Sequence, residues 1–344
     1  MRRCIQLAQL GAGYVAPNPM VGAVIVHNGS VIGEGYHQLY GQAHAEVNCV
    51  NDAIAKGHER LLSSSTIYVS LEPCAHFGKT PPCADLIIRH NIPQVVVGCR
   101  DPFTQVDGKG IEKLRNAGHK VTVGILEQEC IELNKRFFTF HTRHRPYVIL
   151  KWAQTADERI GTTGRRLMIS NEFSNRLVHK WRSEEHAILV GTNTAIADDP
   201  ELTTRLWPGK SPVRLVIDMD LKLPASLKLF NNAARTIIFN KHRHIEDDSG
   251  IAYYQLTDDL SLVPQILHAL KQLNIQSVLV EGGAFLLQSF IDESAWDEVR
   301  IITNKHLVAG HGLPAPVLRH AGIVNEQDLE SDRIQIFQPV KANV

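Results

Sequence analysis

The sequence contains no run of about 18 consecutive apolar residues, so no membrane-spanning helix is expected. It carries no surplus of either charge. Lys plus Arg total 36, as do Asp plus Glu, which leaves a formal net charge of zero. Chains that bind nucleic acid usually carry a basic excess, so this balance argues against such a partner without excluding a local patch. No cysteine follows Cys130; the six are Cys4, Cys49, Cys74, Cys83, Cys99 and Cys130. The N-terminus, Met1-Arg2-Arg3-Cys4-Ile5-Gln6-Leu7, lacks the apolar core and cleavage site of a secretory leader. A reducing, cytoplasmic setting is therefore expected, where paired cysteines mean metal or catalysis more often than disulfides. Apolar residues are not scarce: 44% of the chain is hydrophobic and 21% charged, which excludes a largely disordered protein. A length of 344 residues suggests two domains.

The chain reads as two α/β blocks. In the first, a short helix over 5–10 precedes an apolar strand over 20–26. His27-Asn28-Gly29-Ser30 supplies a hairpin turn into a second strand over 31–36. Helices are expected over 43–56, 83–90 and 111–117, with strands over 66–71, 95–98 and 121–123 between and after them. A closing helix over 127–140 ends at the charged, proline-broken stretch His141-Thr142-Arg143-His144-Arg145-Pro146, where the domain boundary falls. The second block predicts strands over 147–153, 187–191, 213–218, 236–240, 277–281 and 299–303, with helices over 172–182, 262–273 and 284–291. This alternation suggests sheets covered on both faces.

Three motifs fail on context. Gly11-Ala12-Gly13-Tyr14-Val15-Ala16 fits a dinucleotide fingerprint but follows a helix and runs into Pro17. Gly78-Lys79-Thr80 and Gly209-Lys210-Ser211 lack the upstream glycine of a P-loop; Pro73 and Thr204 stand there instead.

A fourth pattern survives. His44-Ala45-Glu46 opens a helix, and Pro73-Cys74 and Pro82-Cys83 follow. One imidazole and two thiolates hold Zn²⁺ and leave its fourth position open to water. A metal there makes a nucleophilic water available at neutral pH. Glu46, beside a ligand but not itself one, is suited to carry protons from that water to the ring nitrogen and the departing ammonia. The alternative is a closed structural site, for which His76 is the nearest fourth ligand. The general deaminase pattern has two residues between its cysteines. Here the loop from Ala75 to Pro82 carries a cation and a hydroxyl, which suit a sugar phosphate. Cys4, Cys49, Cys99 and Cys130 read as small core residues.

In the second block, Val280-Glu281-Gly282-Gly283-Ala284 ends a strand and opens a helix, a place where backbone amides can bind phosphate.

The segments Ala16-Pro17-Asn18-Pro19-Met20-Val21-Gly22-Ala23-Val24, His44-Ala45-Glu46-Val47-Asn48 and 71–84 resemble the bifunctional riboflavin-biosynthesis deaminase/reductase family. Asp101-Pro102, Gly108-Lys109-Gly110-Ile111, Lys151-Trp152-Ala153 and the stretch 182–205 extend the resemblance over most of the chain. It implies an α/β fold class: an N-terminal cytidine-deaminase-like α/β/α domain over 1–142, then a dihydrofolate-reductase-like α/β domain over 146–344. It implies zinc-dependent deamination of 2,5-diamino-6-(5-phosphoribosylamino)pyrimidin-4(3H)-one, followed by NADPH-dependent reduction of its ribosyl group to ribityl. His44, Cys74 and Cys83 would be the ligands and Glu46 the proton carrier, with Asn18, His76 and Lys79 as substrate contacts. In the second domain Ala153, Met168, Thr194, Asp198 and the run Gly283, Ala284, Phe285, Leu286, Leu287, Gln288 and Ser289 would meet the cofactor. Arg182, Leu202, Arg205 and Glu281 would meet the substrate. Many family members carry a Ser-x-Trp segment where this chain has Arg166-Leu167-Met168. Arg166 is a candidate phosphate contact, or else part of a solvated turn.

The expected partners are the small-molecule substrate and further copies of the chain, with neither nucleic acid nor membrane. Two other readings stay open: a monofunctional deaminase whose second domain binds ligand or builds the oligomer, and a nucleic-acid-editing deaminase.

Overall fold

A computed structural model describes residues 1–77, 81–103, 106–162, 167–248 and 250–340. The chain divides into two compact units, Met1–His144 and Arg145–Val344.

In the first unit, β1 (Gly22–His27) and β2 (Ser30–Tyr36) form the hairpin, followed by β3 (Thr66–Leu71), β4 (Gln94–Cys99) and β5 (Lys120–Val123). The sheet order is β2-β1-β3-β4-β5. β1 runs antiparallel to both neighbours, while β3, β4 and β5 are parallel. Helices α1 (Arg2–Gln9), α2 (Ala45–Ala55), α3 (Cys83–Arg89), α4 (Lys109–Asn116), α5 (Glu127–Leu133) and α6 (Lys135–Thr142) complete it. One sheet face packs Ala23, Ile25, Ile67, Val69, Val95 and Val97 against apolar residues of α2, α3 and α4. The other face meets α1 and α5 through Cys4, Leu7 and Cys130. Side chains of α2 thus reach the sheet from one stripe while its first turn stays at the sheet's end. A Cβ on Gly35 would run into the backbone nitrogen of Cys49, so glycine in β2 lets α2 lie directly on the strand.

The expected single helix over 127–140 is two helices. They break at Asn134, whose side chain accepts from Met20 N–H and donates to Met20 C=O, both at 2.8 Å. The remaining elements of this unit fall within a few residues of expectation.

In the second unit the strands are β6 (Tyr147–Gln154), β7 (Arg159–Gly161), β8 (Ala187–Val190), β9 (Val213–Ile217), β10 (Thr236–Asn240), β11 (Ile251–Gln255), β12 (Ser277–Val280), β13 (Glu298–Asn304), β14 (Leu313–Pro314), β15 (Ala321–Leu329) and β16 (Asp332–Pro339). The helices are α7 (Glu172–Glu184), α8 (Thr192–Asp198), α9 (Leu262–Gln272) and α10 (Ala284–Asp292). Nine strands make one sheet in the order β11-β10-β9-β8-β12-β6-β13-β16-β15, and β7 pairs with β14 apart from it. The first seven of the nine are parallel; β16 and β15 are antiparallel. Helices α9 and α10 cover one face and α7 and α8 the other. The parallel strands therefore discharge at one edge, where α/β folds bind their ligands. β7, β11, α8, β14 and the β15–β16 hairpin are absent from the sequence-based expectation. β15 is polar and largely exposed, so no apolar alternation marks it.

Candidate active sites

At the carboxyl edge of the first sheet, His44 caps α2, Cys74 follows β3 and Cys83 opens α3. Their ligand atoms lie within 4.8 Å of one another. His44 Nδ1 is 3.6 Å from Cys74 Sγ and 3.3 Å from Cys83 Sγ. Nitrogen and sulfur on one tetrahedral zinc stand about 3.6 Å apart, so the donors present fit that ion. The Cys83 N–H also donates to Cys74 Sγ at 3.3 Å. Donation from the Cys83 thiol, then from His44, pulls the Cys74 thiol down to about 4, while the Cys83 thiol is pushed up. Glu46 is buried in the first turn of α2, and burial raises its carboxyl to about 7. That suits a group that both takes and gives a proton near neutrality.

Asn18 stands beside His37, which sequence reasoning did not single out. His37 Nδ1 faces the Ala43 carbonyl at 3.0 Å, and Nε2 lies 3.1 Å from Asn18 Nδ2. A carbonyl only accepts, so Nδ1 carries the proton and Nε2 accepts from the Asn18 amide. That leaves the Asn18 carbonyl oxygen outside this hydrogen bond. The His37 ring also packs edge-on against His44, with centroids 5.4 Å apart. Only its place just after β2, next to a short loop leading to His44, could have marked it. Nδ1 of His76 is buried with no hydrogen-bond partner among the described residues. Lys79, and with it the Gly78-Lys79-Thr80 motif, lies outside the described residues.

In the second unit, Arg182 of α7 grips Glu281 at the end of β12, Nε to Oε1 at 3.0 Å and Nη2 to Oε2 at 2.7 Å. Lys151 in β6 stands 3.9 Å from the same carboxylate. Burial would raise the Glu281 carboxyl, but Arg182 and Lys151 outweigh it and hold it down to about 2. Burial, with Arg182 and Arg205 nearby, lowers the His179 imidazole to about 4, and its Nδ1 accepts the Arg205 N–H at 3.0 Å. Arg182, Arg205 and Glu281 are thus brought together, with Lys151 and His179 added by the structure. Leu202 sits nearby with positive φ (56°) and a buried side chain.

Two helix N-termini meet at the Gly282-Gly283 turn. A Cβ on Gly282 would lie 3.3 Å from the Gly191 nitrogen at the start of α8, and one on Gly283 would lie 3.1 Å from Thr194 Oγ1. This bare cradle of amides fits a cofactor's phosphates. Ala284 and exposed Phe285 border it, whereas the Leu286 and Leu287 side chains enter the core. Gln288 is tied to Asp292 and Val317, and Ser289 to the Phe285 carbonyl. Asp198 is exposed at the end of α8, Ala153 is half-buried in β6, and Met168 is exposed. Arg166 lies outside the described residues.

The RibD C-terminal domain family matches residues 146–317, and the cytidine and deoxycytidylate deaminase zinc-binding region matches residues 1–99. The riboflavin biosynthesis protein RibD of Aquifex aeolicus is 43% identical over 320 residues, 91% of this chain and 88% of that one. This chain belongs to the RibD family. Two solved structures agree. A Thermotoga maritima diaminohydroxyphosphoribosylaminopyrimidine deaminase/5-amino-6-(5-phosphoribosylamino)uracil reductase is 38% identical with a TM-score of 0.89, covering 98% of this chain and 97% of its own. Acinetobacter baumannii RibD is 31% identical with a TM-score of 0.89, over 98% and 97% of the two chains. As a RibD protein the chain is a bifunctional deaminase and reductase of riboflavin biosynthesis, with zinc and NADPH as cofactors. The monofunctional and nucleic-acid-editing readings give way to it. Among the described residues, no helix is long and apolar enough to cross a membrane.

Proposed function

We propose that residues 1–142 deaminate 2,5-diamino-6-(5-phosphoribosylamino)pyrimidin-4(3H)-one and that residues 146–344 then reduce the ribosyl group to ribityl, giving 5-amino-6-(5-phosphoribitylamino)uracil. The observation that carries the first half is the convergence of His44, Cys74 and Cys83 with a non-ligating carboxylate two residues from the histidine. His44, Cys74 and Cys83 would hold the zinc, which would supply an activated water for attack on the amine-bearing ring carbon. Glu46 would take one proton from that water and pass it to the ring nitrogen, then take the hydroxyl proton left on the same carbon and pass it to the amine, so that ammonia departs as the carbonyl forms. Asn18 and His76 hold the pyrimidine, and Lys79 the phosphate.

In the second half NADPH supplies the hydride. The cradle at Gly283 and Thr194 would hold its phosphates, with Ala153, Met168, Asp198 and the first turn of α10 as further cofactor contacts. Arg205 and Arg182, with the backbone at Leu202, hold the substrate phosphate, Glu281 orients the sugar hydroxyls, and Arg166 adds a phosphate contact. The open edge strand β15, with exposed Ile323 and Val324, supports a homo-oligomer, and the unpaired metal-site thiols support a cytoplasmic setting. The deciding experiment supplies purified protein with the diaminopyrimidine phosphate and NADPH, and follows ammonia and NADPH oxidation together. One ammonia per NADPH is expected. Ammonia release without oxidation would remove the reductase half of the proposal.

A further inference from the structure

Glu72 ends the run that leads into Pro73-Cys74, and it is 4% exposed. Its Oε2 accepts the N–H groups of Asp101 (3.3 Å) and Gly108 (2.9 Å), and its Oε1 those of Gly110 (3.0 Å) and Ile111 (3.3 Å). Two oxygens with about four lone-pair sites are thus fully used by backbone amides. Glu72 has no capacity left for a metal or substrate, so its action is through what it holds. On one side it is fixed to β4, its N–H donating to the Cys99 carbonyl at 3.0 Å. On the other it gathers both ends of the loop between β4 and α4, capping the helix with a negative charge. Contact there is close: a Cβ on Gly110 would overlap the Pro73 carbonyl oxygen.

That loop carries Phe103. Its ring meets His76 edge-on, with centroids 6.4 Å apart, and His141 at 5.0 Å. His76 belongs to the metal-ligand loop, two residues beyond Cys74. Through Phe103 the β4–α4 loop packs against His76 of the ligand-bearing segment, and Glu72, two residues before Cys74, holds both ends of that loop through its side chain. We propose that Glu72 is a positioning residue that, through the Phe103 loop, fixes His76 in the deaminase substrate site. The inference rests on the deaminase reading above.

Glu72→Gln in the full-length, zinc-loaded protein keeps the shape but turns one oxygen into an NH₂ group, which faces two N–H donors it cannot accept from. Zinc content should stay at the parental level, because His44, Cys74 and Cys83 are untouched. NADPH oxidation with the deaminated substrate should also be unchanged, which provides an internal control. The KM for deamination should rise about tenfold while kcat stays within about threefold, since the Phe103 loop backs His76, a proposed substrate contact, and not the reacting atoms. Phe103→Leu should raise the same KM without altering zinc content. A zinc-loaded Glu72→Gln protein with parental KM overturns the proposal, as does loss of zinc. If that variant does not fold, Phe103→Leu decides alone, and a parental KM overturns it. A parental protein that releases no ammonia refutes the deaminase reading itself, and this inference with it.

Discussion

Replacing Glu281 by glutamine would strand two cations in the second unit. Glu281 is bidentate to Arg182 and 3.9 Å from Lys151, and the three side chains are only 8%, 13% and 12% exposed, so solvent screens them little. Removing one partner of such a buried pair costs roughly 3–5 kcal/mol. Proton linkage gives a second route. The carboxyl is held down to about 2 from an ordinary 4.5, which corresponds to about 3 kcal/mol. Burial lowers the Lys151 pKa, so in the variant that lysine can release its proton and relieve part of the penalty; the lower figure is expected. The folded carboxyl titrates below its unfolded value. Its contribution is therefore complete above about pH 4.5 and fades as the pH falls toward 2. All four tryptophans, Trp152, Trp181, Trp207 and Trp296, lie in the second unit, so tryptophan fluorescence in urea follows that unit alone. The gap between parent and Glu281→Gln should be about 3 kcal/mol at pH 7 and close as the pH approaches 2. Stabilities equal within about 0.5 kcal/mol at pH 7 would refute the reasoning. So would a gap that does not narrow in acid.

Glu46→Gln should bind zinc like the parent and lose at least about a hundredfold in deamination rate, because proton transfer alone is removed; metal analysis showing an empty site would make Glu46 a ligand instead. Stripping zinc with a chelator should abolish ammonia release and spare NADPH oxidation with the deaminated substrate, since the ligands His44, Cys74 and Cys83 all belong to the first unit. Gly283→Val should raise the KM for NADPH about tenfold or more by filling the cradle beside Thr194, with deamination unaffected. An unchanged NADPH titration would place the cofactor's phosphates elsewhere.

What the sequence discloses divides along the line between local and non-local geometry. His44 and Glu46 share one helical turn, and Cys74 and Cys83 flank one loop, so the composition and spacing of short segments announce the metal site. The same holds for strands whose two faces are covered, such as β6 and β12, which read as apolar runs. It fails for β15, whose uncovered residues carry no pattern, and for α8, where Thr192-Asn193-Thr194 gives little helical signal. Lys151 shows the limit best. In the chain it is one cation inside an apolar strand, 130 positions before Glu281. β12 pairs with β6 so that Val280 lies opposite Leu150, and the next residues in parallel register are Glu281 and Lys151. Arg182 then arrives from α7, which packs over that part of the sheet. A charge that would be costly alone becomes tolerable because strand order supplies its counter-ion. Glu72 follows the same logic: its partners lie 29 to 39 positions away, and only the close packing of α4 on Pro73 turns a motif glutamate into a clamp.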